Sequence, residues 1–279
     1  MSIRIVTDSS CDLPEAAVQE HGITVVPLSI RFGDEELIDR EELSTAEFWA
    51  RCASQDTLPE TAAPAPGQFE QAYRRLAADG ATGVVVVSLS GALSATMQSA
   101  ELAARSVADV VPVRVVDTRS VSLGVGTIAL AASRRAADGG TLDEVEALAR
   151  DLAARTKVFG ALDTLENLKK GGRIGNAKAF LATALAIKPI IEVVDGAVEE
   201  GGKQRTRSKA LKFLVEKVRE YGDSVHDLAV LHADCSDVDQ FVEMLRPYYA
   251  GEIVIGEIGP VIGTHAGRGT IGVAFNVRD

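Results

Sequence analysis

The chain of 279 residues carries 40 acidic against 29 basic side chains, and the resulting net charge of −11 opposes binding to nucleic acid or to anionic membrane surfaces. Hydrophobic residues at 46% and charged residues at 25% are the balance of a globular protein, and the length suits two domains of roughly 130–150 residues. Cys11, Cys52 and Cys235 form no C-x-x-C pair and flank no histidine at metal-ligand spacing, so no metal site is expected and three small packing residues in a reducing compartment are.

In chain order, short β-branched runs at 3–7, 24–28, 84–88 and 113–117 alternate with amphipathic patterns near 14–20, 44–52, 67–78, 94–106 and 123–137. That alternation predicts an α/β fold, with a parallel-sheet, Rossmann-like domain over 1–156. The opening apolar run stops at Asp8, short of the ~7–15 apolar residues of a secretory segment. No run approaches the ~18 apolar residues of a membrane span, so a cytoplasmic protein without an integral membrane segment is expected. Val84-Val85-Val86-Val87 reads as a central strand covered on both faces. Pro59, Pro64 and Pro66 exclude regular helix from 58–67. Thr141 with Glu144 spells a capping box opening a helix to about Arg155. Beyond it, strand patterns at 157–163, 187–194, 228–233 and 253–258 predict a more mixed α+β domain over 157–279. Asp195-Gly196 between two apolar runs predicts a hairpin joining 190–194 to 197–199.

Ligands of parallel sheets sit at the carboxyl ends of strands, where loops and helix N-termini converge. Thr7-Asp8-Ser9-Ser10, Ser88-Leu89-Ser90 and Asp117-Thr118-Arg119-Ser120 fall at such ends and point to a shared polar cleft; each is equally suited to capping the helix that follows. Gly124-Val125-Gly126-Thr127-Ile128-Ala129 matches G-x-G-x-x-A, but 118–123 separates it from its strand, so close helix packing is expected in place of dinucleotide binding. Ser94, His265 and Asp117 are the residue types of a hydrolase triad, giving a serine-dependent acyl hydrolase or acyltransferase as the alternative reading. Ser94 lies in no G-x-S-x-G elbow, however, and no Walker A motif is present.

Segments from one end of the chain to the other resemble the DegV family: Thr7-Asp8-Ser9-Ser10, Val26-Pro27-Leu28, Pro59-Glu60-Thr61 with Pro64, and Leu93-Ser94-Ala95-Thr96-Met97-Gln98-Ser99-Ala100. The later ones are Thr164-Leu165-Glu166-Asn167-Leu168-Lys169-Lys170-Gly171-Gly172-Arg173-Ile174, Lys188-Pro189-Ile190, and Ile258-Gly259-Pro260-Val261-Ile262-Gly263-Thr264-His265-Ala266-Gly267. Where members commonly read T-S-Q-P-S this chain has Thr61-Ala62-Ala63-Pro64-Ala65, where they read L-S-G-T it has Leu93-Ser94-Ala95-Thr96, and Arg268 stands where proline is common. The resemblance implies the two-domain EDD fold, with a long-chain fatty acid such as palmitate, stearate or oleate in a tunnel between the domains. It implies hydroxyls at Thr61 and Ser94 on the carboxylate, Arg173 and His265 near that end, and Ser9 and Thr264 as further candidates. It also implies a non-catalytic carrier that presents the acid to a separate fatty acid kinase for acyl-phosphate formation, a step feeding phospholipid metabolism.

The residues support part of this independently. A helix opening at Ser94 would offer free backbone N–H groups and a positive dipole end to an anion, and a proline-stiffened loop would hold the Thr61 hydroxyl in place. Read without the resemblance, both remain ordinary cap or turn residues, Gly171 a helix C-cap beside a solvated Arg173, and His265 a histidine in a turn.

Overall fold

A computed structural model describes residues 2–55, 57–178 and 187–278. The first half runs β1 (Ile3–Asp8), α1 (Glu15–Glu20), β2 (Thr24–Val26), β3 (Ser29–Phe32), β4 (Glu35–Ile38), α2 (Thr45–Ser54), β5 (Glu60–Ala62), α3 (Pro66–Ala78), β6 (Gly83–Ser88), α4 (Thr96–Ser106), β7 (Val113–Asp117), α5 (Leu123–Ala137) and α6 (Leu142–Arg155). Strands β2-β1-β6-β7 form a parallel sheet in that order. Val84 to Val87 are fully buried because the sheet is covered on both sides: Val84 and Val86 pack with Phe69, Tyr73 and Ala100 of α3 and α4, while Val85 and Val87 pack with α5 and α6. The capping box forms, with Glu144 N–H donating to Thr141 Oγ1 and Thr141 N–H to the Glu144 carboxylate.

The second half runs β8 (Thr156–Ala161), α7 (Glu166–Lys170), β9 (Lys188–Val194), β10 (Ala197–Gln204), α8 (Arg207–Tyr221), β11 (Val225–His232), α9 (Val238–Leu245), β12 (Val254–Glu257), α10 (Pro260–Ala266) and β13 (Ile271–Val277). Six strands form a mixed sheet in the order β10-β9-β8-β13-β11-β12. Asp195 and Gly196 make the expected hairpin turn, both with positive φ (50° and 83°), as a primed two-residue turn requires. Helices α8 and α9 cover one face of this sheet through Leu211, Leu214, Phe241 and Leu245.

Helix α5 joins the two halves. It touches β1 and β6 on one side and β8, β11 and β13 on the other, and 11 of its 15 residues are buried. This explains the G-x-G-x-x-A run without a nucleotide. A Cβ at Gly124 would lie 2.5 Å from Val158 Cγ2, and one at Gly126 would lie 2.8 Å from the Cys11 carbonyl.

Several elements, β3, β4, α8, α9 and α10 among them, have no counterpart in the sequence reading, and others differ from it. The 58–67 segment is not all loop: Glu60–Ala62 pairs with β3 in a three-stranded sheet, and Pro66 opens α3, a position where its missing N–H costs nothing. Strand β13, at the centre of the mixed sheet, has no expected counterpart; its Gly272 weakens the strand signal yet is required, because a Cβ there would meet the Phe159 carbonyl at 2.3 Å. Helix α4 opens at Thr96, two residues later than expected.

Candidate functional site

A cavity of about 200 Å3 lies where the halves meet. Its walls are Leu28, Leu89, Leu93 and Val121 from the first half and Leu168, Ile191, Val193, Val198, Val261 and Ile262 from the second. At its polar end stand Thr61, Ser94, Arg173 and His265, the four principal candidates of the sequence reading, and all four are half-buried. An outer depression of about 540 Å3 shares Thr61, Arg173 and His265 with the cavity and is bordered by Lys170. Those three side chains therefore stand between an apolar interior and solvent.

Each is held by a different element. Thr61 sits on β5, paired with Ile30, and its Oγ1 is 3.0 Å from Nε2 of His265 on α10. The imidazole packs so closely on Gly171 that a Cβ there would be 2.3 Å from Nδ1, and Nδ1 is buried with no hydrogen-bond partner. Burial first, and Arg173 second, push the His265 midpoint down to about 4, so the ring is neutral at physiological pH. A buried N–H without an acceptor costs more than an unused ring lone pair, which favours the Nε2–H tautomer. In that tautomer Nε2 donates to Thr61, leaving the Thr61 hydroxyl proton for an acceptor in the cavity.

Arg173 donates from Nε to the Leu93 carbonyl at 3.2 Å and from Nη1 to the Gly171 carbonyl at 2.7 Å. It has no acidic partner among the described residues, although the chain holds 40 acidic side chains. A half-buried guanidinium satisfied only by carbonyls keeps its charge available to an anion.

Ser94 does not cap α4. Its Oγ lies 2.9 Å from Thr96 Oγ1 and accepts from the Thr96 N–H at 3.3 Å, so it braces the turn before the helix while lining the cavity. Ser9 stands away from the site, and Thr264 borders the outer depression without entering the apolar cavity. Ser9 is buried and its Oγ accepts from the Leu28 N–H, and the Thr264 hydroxyl donates to the Pro260 carbonyl; neither lines the cavity. The first two strand ends converge in a closed network in which the Asp8 carboxylate accepts from Ser10, Ser88 and the Leu89 N–H; the third joins it through Thr118, whose hydroxyl donates to the Ser88 carbonyl, while its Asp117 and Arg119 border a separate surface depression. The open cleft expected there is replaced by this buried network, because its donors and acceptors satisfy one another.

The triad alternative is not assembled. Ser94 is bonded to Thr96, His265 to Thr61, and Asp117 accepts from the backbone N–H groups of Gly91 and Arg119. Among the described residues no group of three or more His, Cys, Asp or Glu is arranged to hold a metal ion, and no helix is long and apolar enough to cross a membrane. Sequence reasoning missed the apolar walls, which carry no sequence signature distinct from core, and the role of Gly171 as the surface on which His265 rests.

The model of the family described as "Uncharacterised protein, DegV family" matches residues 2–278. The chain belongs to the DegV family. A DegV domain-containing protein of Streptomyces coelicolor is 40% identical over 99% of both chains. Among solved structures, a DegV family protein from Thermus thermophilus, described for its fatty acid binding, superposes with a TM-score of 0.90 at 34% identity over 100% of both chains. A stearic acid-binding protein from Eubacterium ventriosum superposes with a TM-score of 0.88 at 26% identity, covering 99% of this chain and 98% of that one. The DegV fold thus spans the whole of both halves, and the segments that carried the resemblance supply the polar end of the cavity with Thr61, Ser94, Arg173 and His265 and part of its apolar wall.

Proposed function

We propose that this protein is a non-catalytic carrier that binds one long-chain fatty acid, such as palmitate, stearate or oleate, with its tail in the apolar cavity and its carboxylate at Thr61, Ser94, Arg173 and His265. The observation that carries the reading is Arg173, a cation without an acidic partner among the described residues, at one end of a cavity walled by leucine, isoleucine and valine. Fatty acid binding by the Thermus and Eubacterium relatives supports it. In this reading the units 1–156 and 157–279 close on the tail from either side.

Burying ~15 methylenes at ~0.8 kcal/mol each offers at most about 12 kcal/mol, against roughly 1–3 kcal/mol for each head-group hydrogen bond. Association and chain-ordering losses reduce the first figure. The tail therefore supplies affinity, and the polar residues set which end of the acid faces the outer depression. A carboxylate held there is open to a second protein, and in this reading that protein is a cytoplasmic fatty acid kinase, attracted by Lys169 and Lys170 beside the opening.

Native mass spectrometry of the purified protein tests the binding reading: a mass increment matching one fatty acid is expected, and an apo mass that takes up neither oleate nor stearate overturns it. Incubation with a fatty acid kinase and ATP tests the presenting role separately. Acyl phosphate should form from carrier-bound acid, and its absence with a kinase active on other carriers would remove that role while leaving the binding reading in place.

A further inference from the structure

Segments that carry the cavity walls meet at one buried side chain outside the cavity, Asp12. It follows the 3-10 turn Ser9–Cys11, is 2% exposed, and adopts a left-handed φ of 51°, which aspartate and asparagine tolerate better than most residues. One carboxylate oxygen is 2.5 Å from Ser122 Oγ, and the other accepts from the Gly259 N–H at 2.9 Å. Ser122 directly follows the wall residue Val121, and Gly259 directly precedes α10, which supplies Val261, Ile262 and His265 to the cavity.

Ser122 itself sits at φ 53°, ψ −137°, a conformation that costs a non-glycine residue strain and persists only when its surroundings hold it. The Asp12 carboxylate holds its side chain, while the Val125 and Gly126 N–H groups hold its carbonyl. The approach is close on both sides: a Cβ at Gly259 would lie 3.1 Å from Asp12 Oδ1, and one at Gly256 would lie 2.5 Å from the Asp12 carbonyl.

We infer that Asp12 is a positioning residue of the acyl site, fixing the Val121 wall and helix α10 against each other so that the cavity keeps its shape. The inference rests on the fatty-acid reading above. Burial is the main reason that the carboxyl lies at about 7, with Asp39 and Arg40 the charged groups beside it. Both protonation states keep both contacts: the carboxylate accepts twice, while the acid donates to Ser122 Oγ and accepts from Gly259. Asparagine reproduces the second pattern and keeps the left-handed backbone, whereas alanine loses both contacts.

The test is oleate binding to delipidated protein by calorimetry, with melting temperature recorded on the same preparations. Wild type should bind, Asp12→Ala should bind about tenfold more weakly, the equivalent of one lost hydrogen bond, and Asp12→Asn should stay within about twofold of wild type. Ser122→Gly separates positioning from general stability. Glycine adopts the strained backbone freely, so its melting temperature should hold while affinity falls by about threefold or more. No binding by wild type would defeat the fatty-acid reading. Binding by wild type with equal affinity in folded Asp12→Ala would overturn the inference; should Asp12→Ala fail to fold, wild-type affinity in Ser122→Gly overturns it instead.

Discussion

Replacing Arg173 by glutamine removes the charge at the polar end of the cavity while leaving an amide N–H at the chain length of Nε, the atom that donates to the Leu93 carbonyl. Two consequences follow from one cause. A fatty acid carboxylate loses a charge-assisted partner worth about 1.5–3 kcal/mol, so affinity should fall about ten- to hundredfold, with the tail still holding the acid at high occupancy when protein and lipid are concentrated. Separately, the His265 midpoint should rise from about 4, because Arg173 is the second cause of its depression; burial, the first, remains, so the midpoint stays below the ordinary 6.5. The sign carries over to stability. A histidine whose folded midpoint lies below its unfolded one contributes no penalty above pH ~6.5 and costs stability as pH falls toward 4, where the unfolded chain takes up a proton first. Arg173→Gln should narrow that window. Calorimetry gives the affinity, and NMR titration, with His265 assigned among the four histidines by a His265→Gln variant, gives the midpoint. An unchanged affinity would show that the carboxylate does not meet Arg173, and an unchanged midpoint would show that the guanidinium does not act on the imidazole.

Four other substitutions, in three experiments, probe the same frame. Thr61→Ala with Ser94→Ala should weaken fatty acid binding by roughly 1–3 kcal/mol per lost donor with the fold retained; equal affinity by calorimetry would move the carboxylate elsewhere. Gly171→Ala should cost affinity and disturb the His265 resonance, since the new Cβ would lie 2.3 Å from Nδ1, and an unperturbed histidine spectrum would contradict that packing. Asp39 is 1% exposed and its carboxyl is raised to about 6, chiefly by burial. Its contribution to stability is intact below its unfolded midpoint of ~3.9 and is lost as pH rises through about 6. Asp39→Asn should accordingly raise the melting temperature at pH 8 and change it little at pH 4, and the reverse pattern would refute the assignment.

What the sequence made legible follows the strength of local signals. Val84 to Val87, the Thr141–Glu144 box and Asp195-Gly196 each encode their element within a few residues, and each forms as read. Strand β13 does not, since Gly272 and Ala274 read as poor strand formers until the carbonyl of Phe159 is known to lie against Gly272. Pro59, Pro64 and Pro66 correctly signal a stiff segment, yet pairing with β3 overrides the loop assignment at Glu60–Ala62. At the site, hydroxyl and charged residues stood out because their types are chemically specific. Leu28, Val121 and Ile191 did not, because a residue facing a cavity and one facing the core have the same composition. Asp12 was hidden for a different reason: its partners are 110 and 247 positions away.

The charge of Arg173, without an acidic partner among the described residues, is a cost borne by the folded protein without ligand, and its placement indicates what offsets it. A guanidinium bonded only to carbonyls is stabilised less than one paired with a carboxylate, and an aspartate or glutamate built nearby would have supplied that partner permanently. The chain has acidic residues in excess and puts none of the described ones there. A permanent partner would neutralise the site and remove the incentive for an anion to bind, whereas under the fatty-acid reading proposed above the unpaired cation makes the ligand's carboxylate the missing half of the pair. Burial first, and the neighbouring charge of Arg173 second, keep His265 neutral, so the imidazole serves as a hydrogen-bonding group that orients Thr61. Under the carrier reading proposed above, head-group recognition of this kind is weak compared with the tail, so the cargo is held firmly by one end while the other stays free to react.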